Sequence, residues 1–308
     1  MRINCVVVTY NRVALLKENL SALKSQTYPI HQIFIINNHS TDGTEAYLST
    51  FNNDPQMKIY HLDKNIGGSG GFSYGIKQAV LNGCDYVWIM DDDTIPEEDA
   101  LEQLIKATAL DTHIGFVSSK VVWTDGEIHK MNKCGIRQPI QKKTLTDNPS
   151  VYGLACNNAT FVSTLIKAEA VYKVGLPYKE FFIWHDDIEY TERIVHQGYT
   201  AYYIEQSVVT HKTNSNYAPR VYEADPKDLW KFYYQARNTT FLTRLRKPNV
   251  FIFYFSILNK YRNYMRRIKR MEDKECQKLL RKEIRRGCID GLKFRPQIEY
   301  ISPNALRM

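Results

Sequence analysis

The first 120 residues repeat one pattern: a short apolar run, then a segment whose apolar positions recur every three or four residues. Residues 3–10 (INCVVVTY), 32–38 (QIFIINN), 57–62 (MKIYHL) and 86–90 (YVWIM) read as buried strands. Residues 12–26 place Val13, Leu15, Leu16, Leu20 and Leu23 at helical spacing. Residues 40–51 open a second helix, with Ser40 or Thr41 as its cap and acidic residues in its first turn. Residues 73–83 form a third helix, entered through the glycine-rich stretch NIGGSGGFSYG at 65–75. Strands that alternate with helices imply a mostly parallel sheet covered on both faces. Such sheets bind ligands beyond the carboxyl ends of their strands. Thr9–Arg12, Asn37–Asp42, Asn65–Gly71 and Asp91–Asp93 all fall there.

Downstream, residues 120–155 carry a TDGE turn and scattered basic residues, which fits a hairpin or an irregular insertion. Residues 158–175 read as strand and helix, 176–199 as a loop and helix, and 200–212 as a strand. From about residue 216 the alternation stops. Residues 229–246 and 250–271 read as helices with aromatic and basic faces. The expected organisation is an α/β body over residues 1–215 and a helical region over 216–308.

A chain of 308 residues, 44% hydrophobic and 24% charged, is long enough to bury a substantial core. None of the six cysteines forms a C-x-x-C pair, so a structural zinc site is not expected. The opening apolar run, CVVV, is too short for a signal peptide, and the longest run, residues 250–258, is too short to span a bilayer. A cytoplasmic protein with reduced thiols is therefore expected. The net charge of +8 is uneven: residues 241–308 hold 18 Lys+Arg against 6 Asp+Glu, and the rest holds 23 against 27. An acidic body argues against nucleic-acid binding; the basic tail suits an anionic partner.

Three consecutive carboxylates, Asp91, Asp92 and Asp93, end the fourth strand. Their repulsion is offset if a divalent cation sits among them, and Asp91 and Asp93 point the same way on extended backbone. The alternative is a solvated turn into a helix, since Pro96, Glu97, Glu98 and Asp99 suit a first turn. The glycine stretch lacks the G-K-[ST] of a P-loop, and Ser73 breaks a G-x-G-x-x-G reading from Gly68 and Gly70. It is either a wall that a ligand approaches closely or a packing turn. In FFIWHDDIEY, a carboxylate among aromatic residues suits a general base whose pKa is raised; a helix cap is the alternative. His211 ends a strand, as a ligand or as a structural histidine.

Taken together, VVVTYNR, INNHSTDGT, the Asp91–Asp93 cluster, FFIWHDDIEY and YYQARN resemble the inverting glycosyltransferases of family 2, over roughly residues 1–240. NIGGSGGF is most similar to the galactofuranosyltransferase subgroup, with the rhamnosyltransferases close by. The resemblance implies a GT-A fold, an α/β nucleotide-sugar-binding and catalytic domain, followed by a C-terminal helical extension. It implies Mn²⁺ or Mg²⁺ held by Asp91, Asp93 and His211, and a nucleotide-diphosphate sugar. The donor would meet Thr9, Tyr10, Arg12, Asn37, Asn65, Gly67, Gly68, Gly70, Gly71 and Asp92. Asn37 stands where the family often has Asp, and its carbonyl can still accept a base N–H. Asp186 would be the catalytic base, with Trp184, His185 and Asp187 toward a glycan or glycolipid acceptor.

The implied reaction moves galactofuranose from UDP-galactofuranose, or rhamnose from dTDP-rhamnose, to a hydroxyl of a growing cell-surface glycan. The basic aromatic tail then reads as a peripheral attachment to the anionic inner face of the plasma membrane. A solvated bundle, a homo-oligomer contact and an RNA-binding tail are the alternatives. A haloacid-dehalogenase-type phosphatase would have its Asp-x-Asp after the first strand, not the fourth; a nucleotidyltransferase would share the metal chemistry.

Overall fold

A computed structural model describes residues 1–218, 220–221, 225–247 and 249–302. The first element, β1 (Ile3–Thr9), is buried along its whole length. It is followed by α1 (Val13–Lys24), β2 (Gln32–Asn37), α2 (Thr44–Leu48), β3 (Met57–His61), α3 (Gly67–Leu81) and β4 (Tyr86–Asp91). Then come β5 (Thr94–Pro96), α4 (Ala100–Ala107), β6 (Ile114–Val122), β7 (Lys142–Leu145) and β8 (Asn148–Ala155). β9 (Thr164–Lys167), α5 (Ala168–Val174), α6 (Asp186–His196) and β10 (Thr200–His211) complete the α/β part. Three helices follow among the described residues: α7 (Lys231–Arg246), α8 (Val250–Ile268) and α9 (Lys274–Lys293).

Among the described residues, one sheet of ten strands runs β3-β2-β1-β4-β9-β6-β10-β8-β7, with β5 paired to β10. Successive strand residues face opposite layers, because the side-chain period of a strand is two. Cys5, Val7, Ile33, Ile35, Trp88 and Met90 meet Leu16 and Leu20 of α1 and Leu101 and Leu104 of α4. Val6, Val8, Phe34, Ile36, Val87 and Ile89 meet Phe72, Ile76 and Val80 of α3. The continuous apolar runs of these strands follow from this two-sided burial.

Several elements differ from the sequence reading. The sheet is mixed: β9 lies antiparallel between β4 and β6. β5 forms where the start of a helix was the alternative, and α4 begins only at Ala100. α3 begins at Gly67, so the glycine stretch is helical backbone and not a loop before a helix. Neither Ser40 nor Thr41 caps α2; its cap is Gly43, in left-handed backbone at φ 87°. Residues 123–141 are irregular apart from two isolated bridges, and β7 with β8 forms a hairpin after them. The tail holds a third helix, α9, that the sequence reading omitted.

The chain divides into two compact units. The first comprises Met1–Lys179, Asp187–Tyr217 and the chain from Ile298 onward; the second comprises Glu180–Asp186 and Ala218–Gln297. The sequence reading expects a single division at 215/216. Glu180–Asp186 nevertheless groups with the helices, and the chain from Ile298 groups with the sheet. In the second unit, Phe232 and Ala236 of α7 bury against Leu280 and Ile284 of α9. The two helices approach closely because a Cβ at Gly291 would lie 2.6 Å from Thr240, and Gly287 faces the α7 backbone at Tyr233.

Candidate active site

Beyond the carboxyl ends of β1, β2 and β4, side chains stitch the loops together. Asp92 is buried and accepts from the Thr9 hydroxyl (2.7 Å) and the Tyr10 N–H (3.3 Å). Thr9 and Asp92, expected at the donor, are thus turned on each other and hold the ends of β1 and β4 together. Arg12 lies 3.5 Å from Asp92 and pairs closely with Asp93. Burial first, then the charge of Asp93, pushes the Asp92 carboxyl up to about 7 against the opposing pull of Arg12. Tyr10 remains about half exposed, at 45%.

Asp91, Asp93 and His211 offer ligand atoms that all lie within 4.8 Å of one another. Sequence spacing alone could not bring His211 here. β5 turns back antiparallel to β10, sets Thr94 opposite His211, and lets the Lys212 N–H bond the Asp93 carbonyl (2.8 Å). His211 Nε2 then lies 2.9 Å from Asp93 Oδ1. Its Nδ1 donates to Asn132 Oδ1 (2.8 Å), and Asn132 Nδ2 is held by Thr160 (3.2 Å). This fixes the tautomer of the neutral ring, with the Nε2 lone pair facing the carboxylate. A lone pair against a carboxylate oxygen repels unless a proton or a cation lies between them. Burial lowers the proton affinity of His211, but the Asp93 hydrogen bond and charge outweigh it and raise the pKa. Asp93 is held low by His211 and Arg12 despite its burial. Two carboxylates and one imidazole nitrogen suit Mn²⁺ or Mg²⁺, so these residues fit the implied ion.

Two residues of this site were missed in the sequence, Asn132 and His129, both from the irregular insertion. The His129 ring lies 4.7 Å from that of His211 and is fully buried. Its Nδ1 accepts from the Met131 N–H, leaving Nε2 to donate to Thr213 (2.9 Å). Burial foremost, then the charge of His211, pushes His129 down to about 4, so it stays a neutral backing ring. No local motif marks either residue; only their place opposite His211 does.

The predicted donor residues on the other side divide. Asn37 is buried; its Oδ1 accepts from the Ser40 N–H (3.0 Å) and its Nδ2 reaches His61 (3.0 Å), so it shapes the β2 turn. Asn65 accepts from the Gly67 N–H (2.8 Å). Asn38, not singled out in the sequence, donates to Asn65 and to the Gly67 carbonyl and accepts from Ile66, anchoring the start of α3. Gly67 needs its glycine for φ 77°. At Gly71 a Cβ would lie 2.6 Å from Val8, so the missing side chain brings α3 onto β1. At Gly70 a Cβ would meet Ile66 at 2.8 Å, again a protein neighbour. Around Gly68, no described atom lies within 4 Å of a Cβ.

In the second unit, the segment FFIWHD has unusual backbone. Phe182, Trp184 and His185 all adopt left-handed φ, at 67°, 64° and 72°. Each such bulky residue costs about 1–3 kcal/mol. Trp184 packs edge-on against Phe232 (5.3 Å), and His185 Nε2 pairs with the Thr239 hydroxyl (3.0 Å). Two of the three expected acceptor residues, Trp184 and His185, are therefore engaged by α7. Burial, then Lys260 and Arg246, pushes His185 down to about 4. Asp186 is buried and opens α6. Asp187 accepts from the N–H of Ile188 (2.7 Å).

A sheet of this order, with paired carboxylates after β4 and a histidine returned by β10, defines the GT-A class of folds. Residues 5–168 match the model of glycosyl transferase family 2, and the chain belongs to that family. It is similar to galactofuranosyltransferase GlfT1 of Mycolicibacterium smegmatis, 27% identical over 199 residues, covering 63% of this chain and 65% of that protein. It is also similar to poly-beta-1,6-N-acetyl-D-glucosamine synthase of Staphylococcus epidermidis, 29% identical over 180 residues, covering 56% of this chain and 41% of that one. The matched region thus spans less than two thirds of either relative. Among solved structures, a mannosyltransferase from Pyrobaculum calidifontis, in complex with GDP-Man and Mn²⁺, shares the fold. Its TM-score is 0.57 at 15% identity, over 94% of this chain and 87% of that one.

Proposed function

We propose that this chain is an inverting, metal-dependent sugar transferase, with UDP-galactofuranose as donor and a hydroxyl of a growing cell-surface glycan as acceptor. The observation that carries it is the convergence of Asp91, Asp93 and His211 at the carboxyl ends of the strands in a family 2 chain. The galactofuranosyl choice is supported by the GlfT1 relative. A bound Mn²⁺ or Mg²⁺ would neutralise charge on the leaving nucleotide diphosphate. Arg12, beside Asp92 and Asp93, supplies positive charge to the same end of the site. Asp186 takes the proton of the acceptor hydroxyl as its oxygen bonds the anomeric carbon and the carbon–phosphate oxygen bond breaks on the opposite face. The diphosphate leaves without a protonating acid, so one carboxylate base suffices. Tyr10, half exposed beside Arg12, is the aromatic face for the nucleoside, and Gly68 leaves room for the donor.

The test is a panel of nucleotide sugars, including UDP-galactofuranose and dTDP-rhamnose, followed by mass spectrometry with and without Mn²⁺. Metal-dependent release of UDP from UDP-galactofuranose supports the reading. Turnover of dTDP-rhamnose alone moves the chain to the rhamnosyl alternative; turnover unaffected by chelator overturns the metal assignment.

A second reading concerns the tail, and α8 favours it. Phe251, Phe255 and Leu258 follow one another at helical spacing and are 83%, 65% and 46% exposed. The same stripe continues through exposed Arg262, Arg266 and Lys269. An apolar half followed by a basic half suits an anionic bilayer surface, with the aromatic end among acyl chains. No helix among the described residues is long and apolar enough to cross a membrane. Sedimentation with phosphatidylglycerol vesicles but not phosphatidylcholine vesicles is expected. Binding to RNA in place of vesicles would favour the RNA-binding alternative.

A further inference from the structure

The YYQARN segment lies on α7, and nothing in the proposed reaction uses it. Its last two residues make an unusually concentrated set of contacts with the backbone that precedes Asp186. Asn238 is fully buried, and its amide nitrogen donates to the carbonyls of Phe181 (3.1 Å), Ile183 (3.2 Å) and Trp184 (3.0 Å). Its Oδ1 accepts from Arg237 Nε (3.1 Å) and Nη2 (3.0 Å), which fixes which way the amide faces. Arg237 Nη2 also donates to the carbonyls of Glu180 (2.6 Å) and Phe181 (3.0 Å). The next residue, Thr239, meets His185. Three successive residues of one helix thus grip residues 180–185.

What they grip is the segment with three left-handed residues, Phe182, Trp184 and His185. L side chains leave that backbone unless neighbours hold it. The last two of these residues immediately precede Asp186, so their φ values set the backbone from which the Asp186 side chain projects. Aromatic contacts alone do not fix this: Phe182 stacked on Tyr234 and Trp184 against Phe232 can slide, whereas carbonyls bonded to one amide cannot. An apolar residue at 238 would leave three carbonyls without that donor.

We propose that Arg237 and Asn238 are positioning residues for catalysis, forming a clamp that holds the 181–185 backbone, with its three left-handed residues, so that Asp186 is presented as the base. This rests on the assignment of Asp186 above, and the experiment separates the two.

The full chain carrying Asn238→Asp keeps the side-chain shape and the Arg237 partner but loses both N–H donors. Three quantities are compared with the wild type. The first is UDP released from UDP-galactofuranose, with Mn²⁺ and octyl β-D-galactofuranoside as acceptor. The second is the Kd for UDP by calorimetry. The third is hydrogen–deuterium exchange of peptides covering 181–187 and of peptides covering β1 and β4. The expected result is a kcat loss of about 30-fold or more, a UDP Kd within about twofold, and faster exchange confined to 181–187. In an Asp186→Asn background, Asn238→Asp should add less than about threefold, because it acts through that carboxylate. Unchanged exchange, a kcat within about threefold of wild type, or a loss that multiplies in the double variant overturns the clamp. If Asp186→Asn itself retains full turnover, the base assignment fails while the exchange result still judges the clamp. Should Asn238→Asp not fold, Arg237→Lys keeps the charge and loses the fork, and is judged by the same criteria. Should the wild type not turn over this donor, the exchange result alone decides.

Discussion

Gly71→Ala and Gly68→Ala, three residues apart on α3, should shift stability in opposite directions. At Gly71 the new methyl would lie 2.6 Å from Val8 Cγ1 and 3.3 Å from Cγ2. Ordinary contact begins near 3.4 Å, so the overlap is most of an ångström. Val8 cannot yield: it is buried and β-branched, on a strand paired on both sides by β2 and β4. Relief must come from lifting α3 off the sheet, and overpacking of this kind costs about 1–3 kcal/mol. Replacing glycine in a helix returns about 1 kcal/mol, which leaves a net loss of up to about 2 kcal/mol. At Gly68 no described atom lies within 4 Å, so only the helix gain remains, about 0.5 kcal/mol near a helix start. Urea denaturation of both variants, with calorimetric binding of UDP, checks this. Adding Val8→Ala to Gly71→Ala should recover at least about 1 kcal/mol relative to additivity. Additive behaviour, or a Gly71→Ala protein of unchanged stability and weakened UDP binding, would refute the packing argument. A Gly68→Ala protein that is more stable yet binds UDP less tightly supports the donor approach at that residue.

Asp93→Ala should abolish the Mn²⁺ dependence of UDP release, and a chelator-sensitive activity in that variant would sink the ligand assignment. Asn132→Ala frees the His211 ring and should weaken Mn²⁺ about 10- to 100-fold by titration calorimetry, with the fold intact by circular dichroism. Phe251→Asp together with Phe255→Asp removes two side chains worth about 1.5–3 kcal/mol each when buried, and should lower partition into phosphatidylglycerol vesicles at least tenfold. His185 is held neutral, at about 4 in the folded chain against about 6.5 unfolded. The unfolded state therefore binds the extra proton, and stability is full above pH 6.5 and falls as the pH drops toward 4. The loss by pH 5 is up to about 2 kcal/mol, and His185→Asn, which tolerates left-handed backbone, should remove most of it in urea melts at pH 7 and pH 5.

The sequence by itself determined what is local. Two-sided burial makes β1, β2 and β4 continuous apolar runs, and α1 shows its buried stripe at Leu16, Leu20 and Leu23. The carboxylate triplet after β4 and the breaks at strand ends were legible because side-chain periodicity and charge repulsion act over a few residues. The role of the glycines was not. Whether a missing Cβ faces open space, as at Gly68, or a valine, as at Gly71, depends on a strand sixty residues away. Only the tertiary structure turned β5 back along β10 to set His211 against Asp93, and supplied Asn132 and His129 from an insertion without a motif. The same holds for Phe182, Trp184 and His185: no propensity predicts left-handed aromatic residues. Their backbone is fixed by an amide on α7, more than fifty residues along the chain, whose hydrogen bonds exist only once the helices have packed.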